Sequence, residues 1–597
     1  MPLTKQSDSL QGEETTVHQL FGITDDRFRA PEFQRHYVWR TGVDDAEVDR
    51  FWTDFDTLIE EDEDSSLFLG AVVLQVLEAG RPGVGALYSI IDGQQRITTL
   101  YLILVAIVEA FQDAGEVEQA KYLSNQYLLV QSPSKAGMPR VEPTVSDRGA
   151  MAEILQCLKE PVPRSGWSAQ LSSDPRLLDA WRKVRAEVRN RIASEAVSSE
   201  IDIEMLKVLR DQILERLELV TITLGSRHNP HEVYERLNTR GRRLTEIDLV
   251  RNTVFYTAGG DSRTAQVVYE NYWDPFESQL GDKQNDYWFP YALTKVPSTT
   301  RAKSYADLHR YWRDNITKGM QGELQAKGIV DSLRECVGGF RAISGISNNA
   351  GAEIADDVWD AVLRLRRMDI SPVMYPFLMQ LVQRHLDGVV SGSDVIRAIG
   401  VVDSFLVRRT FLGLANQGIH AVFKNLWPVT EGDLSDLEGE LAARLQFPSD
   451  DQFAEGVRTF PLYRVKASRC RYVLSEYEGS FVLGDSLYPL GEDMTADHLL
   501  PQGADVQEWG GWTESEKKDL GDTWANLVPL GQRAQSQKGA KSWAEQHELM
   551  IVRYGATCKS TKDVFQRWPD EWTAMSLRER AEELVDWAVG RWPRTLV

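Results

Sequence analysis

Two groups of polar residues in this chain have types and spacings that suit chemistry. The first is Asp92-Gly-Gln-Gln-Arg96, set between an apolar Leu87–Ile91 run and the apolar run Ile97–Phe111. A loop at such a junction places its groups at a strand's carboxyl end and a helix N-terminus, where free N–H groups and the helix dipole favour a phosphate. Gly93 permits a tight turn or the close approach of a ligand. Arg96 carries the fork for bidentate contact with phosphate oxygens. Asp92 suits a divalent ion, and Gln94 or Gln95 suits orienting water or reading a base edge. The plain alternative is a loop whose side chains only cap a helix. Two further segments weigh against that alternative. Pro31–Trp39 gathers Gln34, Arg35, Tyr37 and Trp39, fork donors beside stacking rings, and His231–Asn252 gathers Asn238, Arg240, Gly241, Asp248, Arg251 and Asn252.

The second group begins at Thr495-Ala-Asp-His-Leu-Leu-Pro-Gln502 and continues with Trp524-Ala-Asn-Leu-Val-Pro-Leu530. An Asp–His pair alone is more often structural than catalytic. Here a strand carrying His498, a loop, a strand carrying Asn526 and a helix from about Lys538 to Met550 follow in the order of a ββα-metal finger. Phosphodiester hydrolysis needs a base for water and a cation for the leaving oxygen. His498 fits the base, polarised through its other nitrogen by a carbonyl or by Asn526. Asp497 is a hard oxygen ligand for Mg²⁺ or Mn²⁺. Lys538 and Lys541 read either as phosphate contacts or as a solvated helix start, and His547 reads first as a surface residue and second as a stand-in ligand.

These motifs carry a family resemblance. The triple FQRxYxW, IDGQQRxTTL and FxxLNxRGxxLxxxDLxRN resembles the DUF262 family, the ParB-like nucleotidase half of GmrSD-type restriction enzymes. The first two motifs are closely kept, and the third has Tyr234-Glu-Arg-Leu-Asn238. The segment from 497 resembles the DUF1524 half of the same enzymes, with the pattern (E/D)HxxPQ, GNLxLL and a second Asn. Ala525 stands where that pattern has Gly, and Gln535 where it has the second Asn. The resemblance implies NTP (GTP or other) hydrolysis by Asp92, Gln95 and Arg96, with Gly93, Gln94, Arg35, Asn238 and Arg240 holding the nucleotide. It implies DNA cleavage by His498 and Asn526 with Asp497 and Gln535 as metal ligands; the longer Gln stem places an ion differently. The DNA mark implied is a phosphorothioate or a glucosylated hydroxymethylcytosine. The aromatic Gln34–Trp39 segment, with Gln34, Tyr37 and Trp39 as sensing residues, tilts the choice toward a soft sulfur. The competing expectation is a ParB-like regulatory, DNA-binding NTPase with a degenerate nuclease domain. Oligomeric state, a homodimer included, is left open.

The elements that must position these groups give an α+β, multidomain chain. Residues 1–15 read as a flexible N-terminus, 16–256 as a ParB-type α/β domain with a helical extension, 257–450 as a mostly helical connector and 451–597 as the ββα-metal (HNH-type) domain. Leu67–Leu77, Leu87–Ile91 and Leu217–Leu224 read as strands, the first two joined as a hairpin through Gly80–Gly83. Residues 131–148 and 160–176 read as surface loops, and Phe447–Asp451 as a linker.

At 597 residues the chain exceeds one hydrophobic core. The net charge of −22 argues against general adhesion to DNA, so nucleic acid must meet a local basic surface. Arg182–Arg191 reads as a solvated cationic helix face, whereas Arg464, Lys466, Arg469 and Arg471 lie just before the Asp497–His498 motif. Four scattered cysteines support neither a disulfide framework nor a zinc knuckle. The run Ile97–Phe111 is shorter than the roughly 20 residues of a membrane span, and a cytoplasmic location is expected.

Overall fold

The computed structural model describes residues 11–22, 24–32, 34–43, 46–60, 65–81, 83–158, 175–193, 201–224, 245–258, 262–346, 354–414, 418–430, 433–481, 490, 494–553 and 558–594. The chain is mixed α+β and divides into two compact units. One comprises Met1–Trp273 with Gly319–Ile329, the other Asp274–Lys318 with Val330–Val597. Most of the helices expected as a connector over 257–450 thus group with the C-terminal segment.

The first unit is built on a six-stranded mixed sheet in the order β1-β6-β3-β4-β2-β5. The strands are β1 (Gln11–Thr16), β2 (Arg27–Arg29), β3 (Leu67–Glu78), β4 (Leu87–Asp92), β5 (Val141–Glu142) and β6 (Leu217–Leu224). β4 sits between antiparallel β3 and parallel β2. Five successive residues of β4 are buried, the pattern of a strand covered on both faces. β4 runs straight into the helix Gln94–Asp113, which is buried along nearly all its length. At 20 residues that helix is long and apolar enough to cross a bilayer, but its faces are covered by the unit's own core.

Several local expectations are corrected here. Gln11–Thr16 is not loose: it pairs antiparallel with β6 as an edge strand. Within 131–148, Val141–Glu142 adds parallel to β2, and Arg140, Thr144, Asp147 and Arg148 are buried. Polar residues there are signs of internal bonding, not of exposure; Asp147, for instance, accepts from the Tyr37 backbone at 2.7 Å. The loop expected at 160–176 falls almost wholly outside the described residues. The Arg182–Arg191 face is neutralised in place: Lys183 pairs with Asp49 and Glu187, Arg185 with Glu109, Arg189 with Asp113 and Arg191 with Asp56.

Among the described residues the second unit is helical apart from the antiparallel pair β7 (Met494–His498) and β8 (Leu527–Gly531), followed directly by the helix Gln532–Lys538. The helix expected over Lys538–Met550 is broken: Gly539 takes a φ of 49°, and a new turn starts at Trp543 under a Ser542 capping box. The stretch expected as a linker at 447–451 is packed instead. Phe447 is buried, the Arg408 guanidinium donates to the Pro448 carbonyl and pairs with Asp450, and Ser449 caps the helix Asp450–Thr459.

Candidate functional site

Each unit carries one of the expected groups. In the first, Gly93 is the turning point between β4 and the helix Gln94–Asp113, with a φ of 89°. A Cβ there would lie 2.8 Å from Val72 Cγ2 and 3.2 Å from Val72 Cα, so both the backbone angle and the space require glycine. Asp92 Oδ1 accepts the Gly93 N–H at 2.8 Å. A bulge in β3 between Phe68 and Ala71 sets Gly70 at a φ of 99°. The Arg96 guanidinium packs over Gly70 and donates to the Ala71 carbonyl at 3.0 Å. Half-buried and with donors to spare, Arg96 stands in the first turn of the helix, a fork whose chemistry suits an anion. Gln94 is buried with its amide nitrogen unpaired, a donor whose desolvation costs about 1–3 kcal/mol unless a partner arrives.

Other residues expected to act on ligand are committed to the fold. Gln95 spends both ends of its amide on the neighbouring chain: Oε1 accepts from Val38 N at 2.8 Å and Nε2 donates to His36 O at 3.3 Å. It holds the 36–38 segment against the helix. Gln34 is buried and donates to two carbonyls near the end of β4, Ile90 and Ile91. Tyr37 is fully buried, its hydroxyl 2.7 Å from Thr99 Oγ1, and Trp39 packs edge-on to it at the margin of the core. The mix of amides and rings in this segment was read as a sensing surface; Gln34 and Tyr37 instead splice it into the sheet and core. Arg35 approaches Asp248 to 3.8 Å, and Asp248 also closes the capping box of the helix Glu246–Thr257. Arg251 and Asn252 are buried. Asn238, Arg240 and Gly241 lie outside the described residues.

In the second unit, β7 presents Asp497 and His498 on opposite faces. His498 is 5 % exposed, with the Tyr463 ring centred 4.2 Å from its own. Its Nε2 lies 3.0 Å from Asp522 Oδ1. With Nε2–H donating to that carboxylate, Nδ1 is the proton acceptor of the neutral ring. Burial lowers the His498 pKa, against an opposing pull from Asp522, so the ring is neutral at pH 7 as a base must be. Asp522 is itself raised by burial, but bonds from Arg464, Gln502 and His498 outweigh this and hold it below the usual carboxylate range. Arg464 Nε contacts its Oδ2 at 2.7 Å and Gln502 Nε2 its Oδ1 at 3.1 Å. Sequence reasoning missed Asp522, which lies 24 residues beyond His498; its only signal was a position just before the Trp524–Leu530 strand motif.

Asn526, expected to polarise His498, is fully buried and does something else. Its Oδ1 accepts from Leu500 N and Trp572 Nε1, and its Nδ2 donates to Leu500 O and Gly521 O. It ties the loop after His498 to the turn before β8, and so acts as a positioning residue.

On the other face of β7, Asp497 Oδ1 accepts from Gln535 Nε2 at 3.2 Å, and Thr495 Oγ1 donates to Gln535 Oε1 at 3.0 Å. Asp497 Oδ2 is buried without a well-aligned hydrogen bond; only the Lys538 ammonium lies close, at 2.8 Å. Lys538 is buried too, its pKa lowered by that burial in spite of Asp497, and it also donates to the His498 carbonyl. Neither phosphate contact nor solvated face describes it. No cluster of three His, Cys, Asp or Glu residues is present among the described residues. A hard cation that keeps most of its waters needs only one carboxylate and another oxygen. Asp497 and the Gln535 amide, turned to present its oxygen, fit that requirement once the Lys538 ammonium gives way at Asp497 Oδ2. His547 stacks edge-on to Phe565, and Lys541 is exposed.

Of the basic cluster before the motif, Arg464 is bound to Asp522, Lys466 to Asp369, and Arg471 to the Leu490 carbonyl. Beside Asp522 a hollow of about 280 Å³ is lined by Arg464, Lys517 and Lys518 and by the carboxylates of Glu514 and Asp522, so its wall is positive by one charge next to the His498 pair.

Two family models match the chain. One, described as GmrSD restriction endonuclease, N-terminal domain, matches residues 17–255; the other, GmrSD restriction endonucleases, C-terminal domain, matches residues 447–587. Together they span more than half of it. No curated protein matches the chain.

Proposed function

We propose, starting from the fact that this chain belongs to the GmrSD-type family of restriction endonucleases, that it cuts DNA at His498 under the control of NTP hydrolysis at the Asp92–Arg96 loop. The observation that carries the cleavage half is the His498–Asp522 pair at 3.0 Å, on a strand edge beside a cationic hollow. In this reading His498 Nδ1 takes a proton from water, the resulting hydroxide attacks phosphorus, and the phosphorus–oxygen bond to the leaving sugar breaks. Asp522 holds the ring in the required tautomer and stabilises the imidazolium as it forms. Arg464, Lys517 and Lys518 draw the phosphate backbone to the site, a local basic surface on an acidic chain. A Mg²⁺ or Mn²⁺ ion held by Asp497 and Gln535 would supply charge stabilisation at the leaving oxygen.

In the N-terminal unit, Arg96, the helix N-terminus and the unpaired Gln94 amide support binding of an NTP phosphate, with Gly93 giving it room to approach. The DNA recognised carries a modification, a phosphorothioate or a glucosylated base, and the enzyme acts in the cytoplasm. A second reading, a regulatory NTPase with a silent nuclease domain, draws support from the Lys538 ammonium beside Asp497 and from Gln at 535.

One experiment separates them. Plasmid nicking with Mg²⁺ or Mn²⁺ is measured on unmodified, glucosylated and phosphorothioated DNA, with phosphate release from GTP and ATP followed alongside. His498→Ala should lower nicking by about 10²–10⁴-fold and leave phosphate release in place, while Arg96→Ala should abolish phosphate release. Wild-type protein that nicks none of these DNAs would leave the silent-nuclease reading, and undiminished release by Arg96→Ala would remove the loop from the NTPase account.

A further inference from the structure

A cavity of about 980 Å³ opens on the Tyr463 side of the cleavage site. Its floor is one face of the helix Ala467–Gly479, where Ser468, Arg471 and Ser475 recur at helical spacing. Its roof is the start of β7 at Met494–Ala496, and Arg367 closes it from the end of the helix Asp356–Arg367. Two of its lining residues also belong to the cleavage site: Tyr463, whose ring lies 4.2 Å from that of His498, and Gln535, which is bonded to Asp497. The two neighbours of His498 border different spaces, Asp522 the small hollow and the Tyr463 ring this larger cavity.

The two differ in chemistry. The hollow beside Asp522 suits a phosphate. The large cavity is mainly apolar, with an exposed tyrosine ring at the border of the site and two guanidinium groups. Arg471 donates to the Leu490 carbonyl at 3.1 Å. Arg367 is half-buried, and it makes no hydrogen bond or ion pair among the described residues, although Glu476 exerts a pull on it. A half-buried fork donor facing an apolar space is suited to the carbonyl oxygen and ring nitrogen of a base edge, or to the face of a base. At about 980 Å³ the cavity stands near the top of the range that encloses a drug-sized ligand, ample for a base bearing a bulky substituent.

Resting on the reading of His498 as the cleaving base, we infer that this cavity receives a nucleobase everted from the strand being cut. The cut phosphate lies at His498, the neighbouring base swings past Tyr463, and Arg367 reads its edge. A substituent on that base is then sensed at the cleavage site itself, while a mark on the phosphate is not sensed there.

Eversion leaves a thermodynamic trace. Unpairing a base costs a few kcal/mol, and a mismatched base has largely met that cost already. Binding of full-length His498→Ala protein to fluorescein-labelled duplexes is followed by anisotropy, with a single mismatch walked across the cut mapped with wild-type enzyme. One position next to the cut should bind about tenfold or more tighter when mismatched, and the others should not. Ala467 is exposed at the first turn of the floor helix, so Ala467→Trp fills the cavity without touching the core. Combined with His498→Ala, it should erase the mismatch gain while matched DNA still binds, and Arg367→Leu should reduce the gain. Matched and mismatched duplexes binding alike at every position, or an undiminished gain with Trp at 467, would overturn the everted-base assignment and leave the nuclease reading standing. Wild-type protein that cuts no DNA would overturn both.

Discussion

Replacing Asp522 by Asn tests whether its pairing with His498 is part of the chemistry. Asn keeps the shape and an acceptor for the His498 Nε2–H but removes the charge that stabilises the imidazolium. A hydrogen bond to a charged group contributes about 1.5–3 kcal/mol against about 0.5–1.5 for a neutral one. The Coulomb attraction across the 3.0 Å contact adds up to about 5.5 kcal/mol at an effective dielectric of about 20. Arg464 and Gln502 already draw on the same carboxylate, so most of that attraction is spent before the imidazolium forms. The expected loss in transition-state stabilisation is about 1.5–3 kcal/mol, or roughly 10–150-fold in kcat, with KM little changed because the interaction strengthens only as the proton moves. The assay is single-turnover nicking of a supercoiled plasmid, with thermal unfolding of the variant measured in parallel. The pH profile adds a second readout. His498 works as the neutral ring, so the rate falls as pH drops through its pKa. Burial lowers that pKa and Asp522 opposes the fall. In Asp522→Asn the main pull against burial is gone and only the weaker one from Asp497 remains, so the acid limb should move to lower pH. Wild-type kcat with an unmoved acid limb would refute the reasoning, and a rate lost only with the melting transition would reduce Asp522 to a structural residue.

Two further predictions concern positions where the backbone carries the site. Gly93→Ala should destabilise the first unit by about 1–3 kcal/mol, from a φ of 89° and a Cβ 2.8 Å from Val72 Cγ2, with phosphate release lost; an unchanged denaturation midpoint would contradict it. Asn526→Ala leaves Leu500, Gly521 and Trp572 without their partners, so calorimetry should show a loss of about 3 kcal/mol or more alongside lost nicking. A stable but inactive Asn526→Ala protein would instead make it a catalytic residue.

What sequence reasoning reached and what it missed divide along a physical line. The turn at Gly93, the buried helix after it, the strands read over 67–77, 87–91 and 217–224 and the β–β–α order around His498, though not the position of its helix, were legible, because hydrophobic runs, β-branched content and glycine's backbone freedom act over a few residues. Asp497, His498 and Arg96 were singled out by residue type and by the motifs around them, and the structure adds the bonds each one makes. Partners were not. Asp522 reaches His498 only because the turn before β8 folds back along β7, a juxtaposition no spacing rule announces. Gln95, Gln34 and Tyr37 read as ligand groups because an amide or a phenol looks the same whether its bonds go to substrate or to the backbone; burial against β4 and the 36–38 segment decided it. In the same way the cationic stripe over Arg182–Arg191 met carboxylates from Asp49, Asp56, Glu109 and Asp113, and Lys538 met Asp497. Residue types set which chemistry was available to this chain; long-range pairing, which only the tertiary fold brings about, decided which groups were left to perform it.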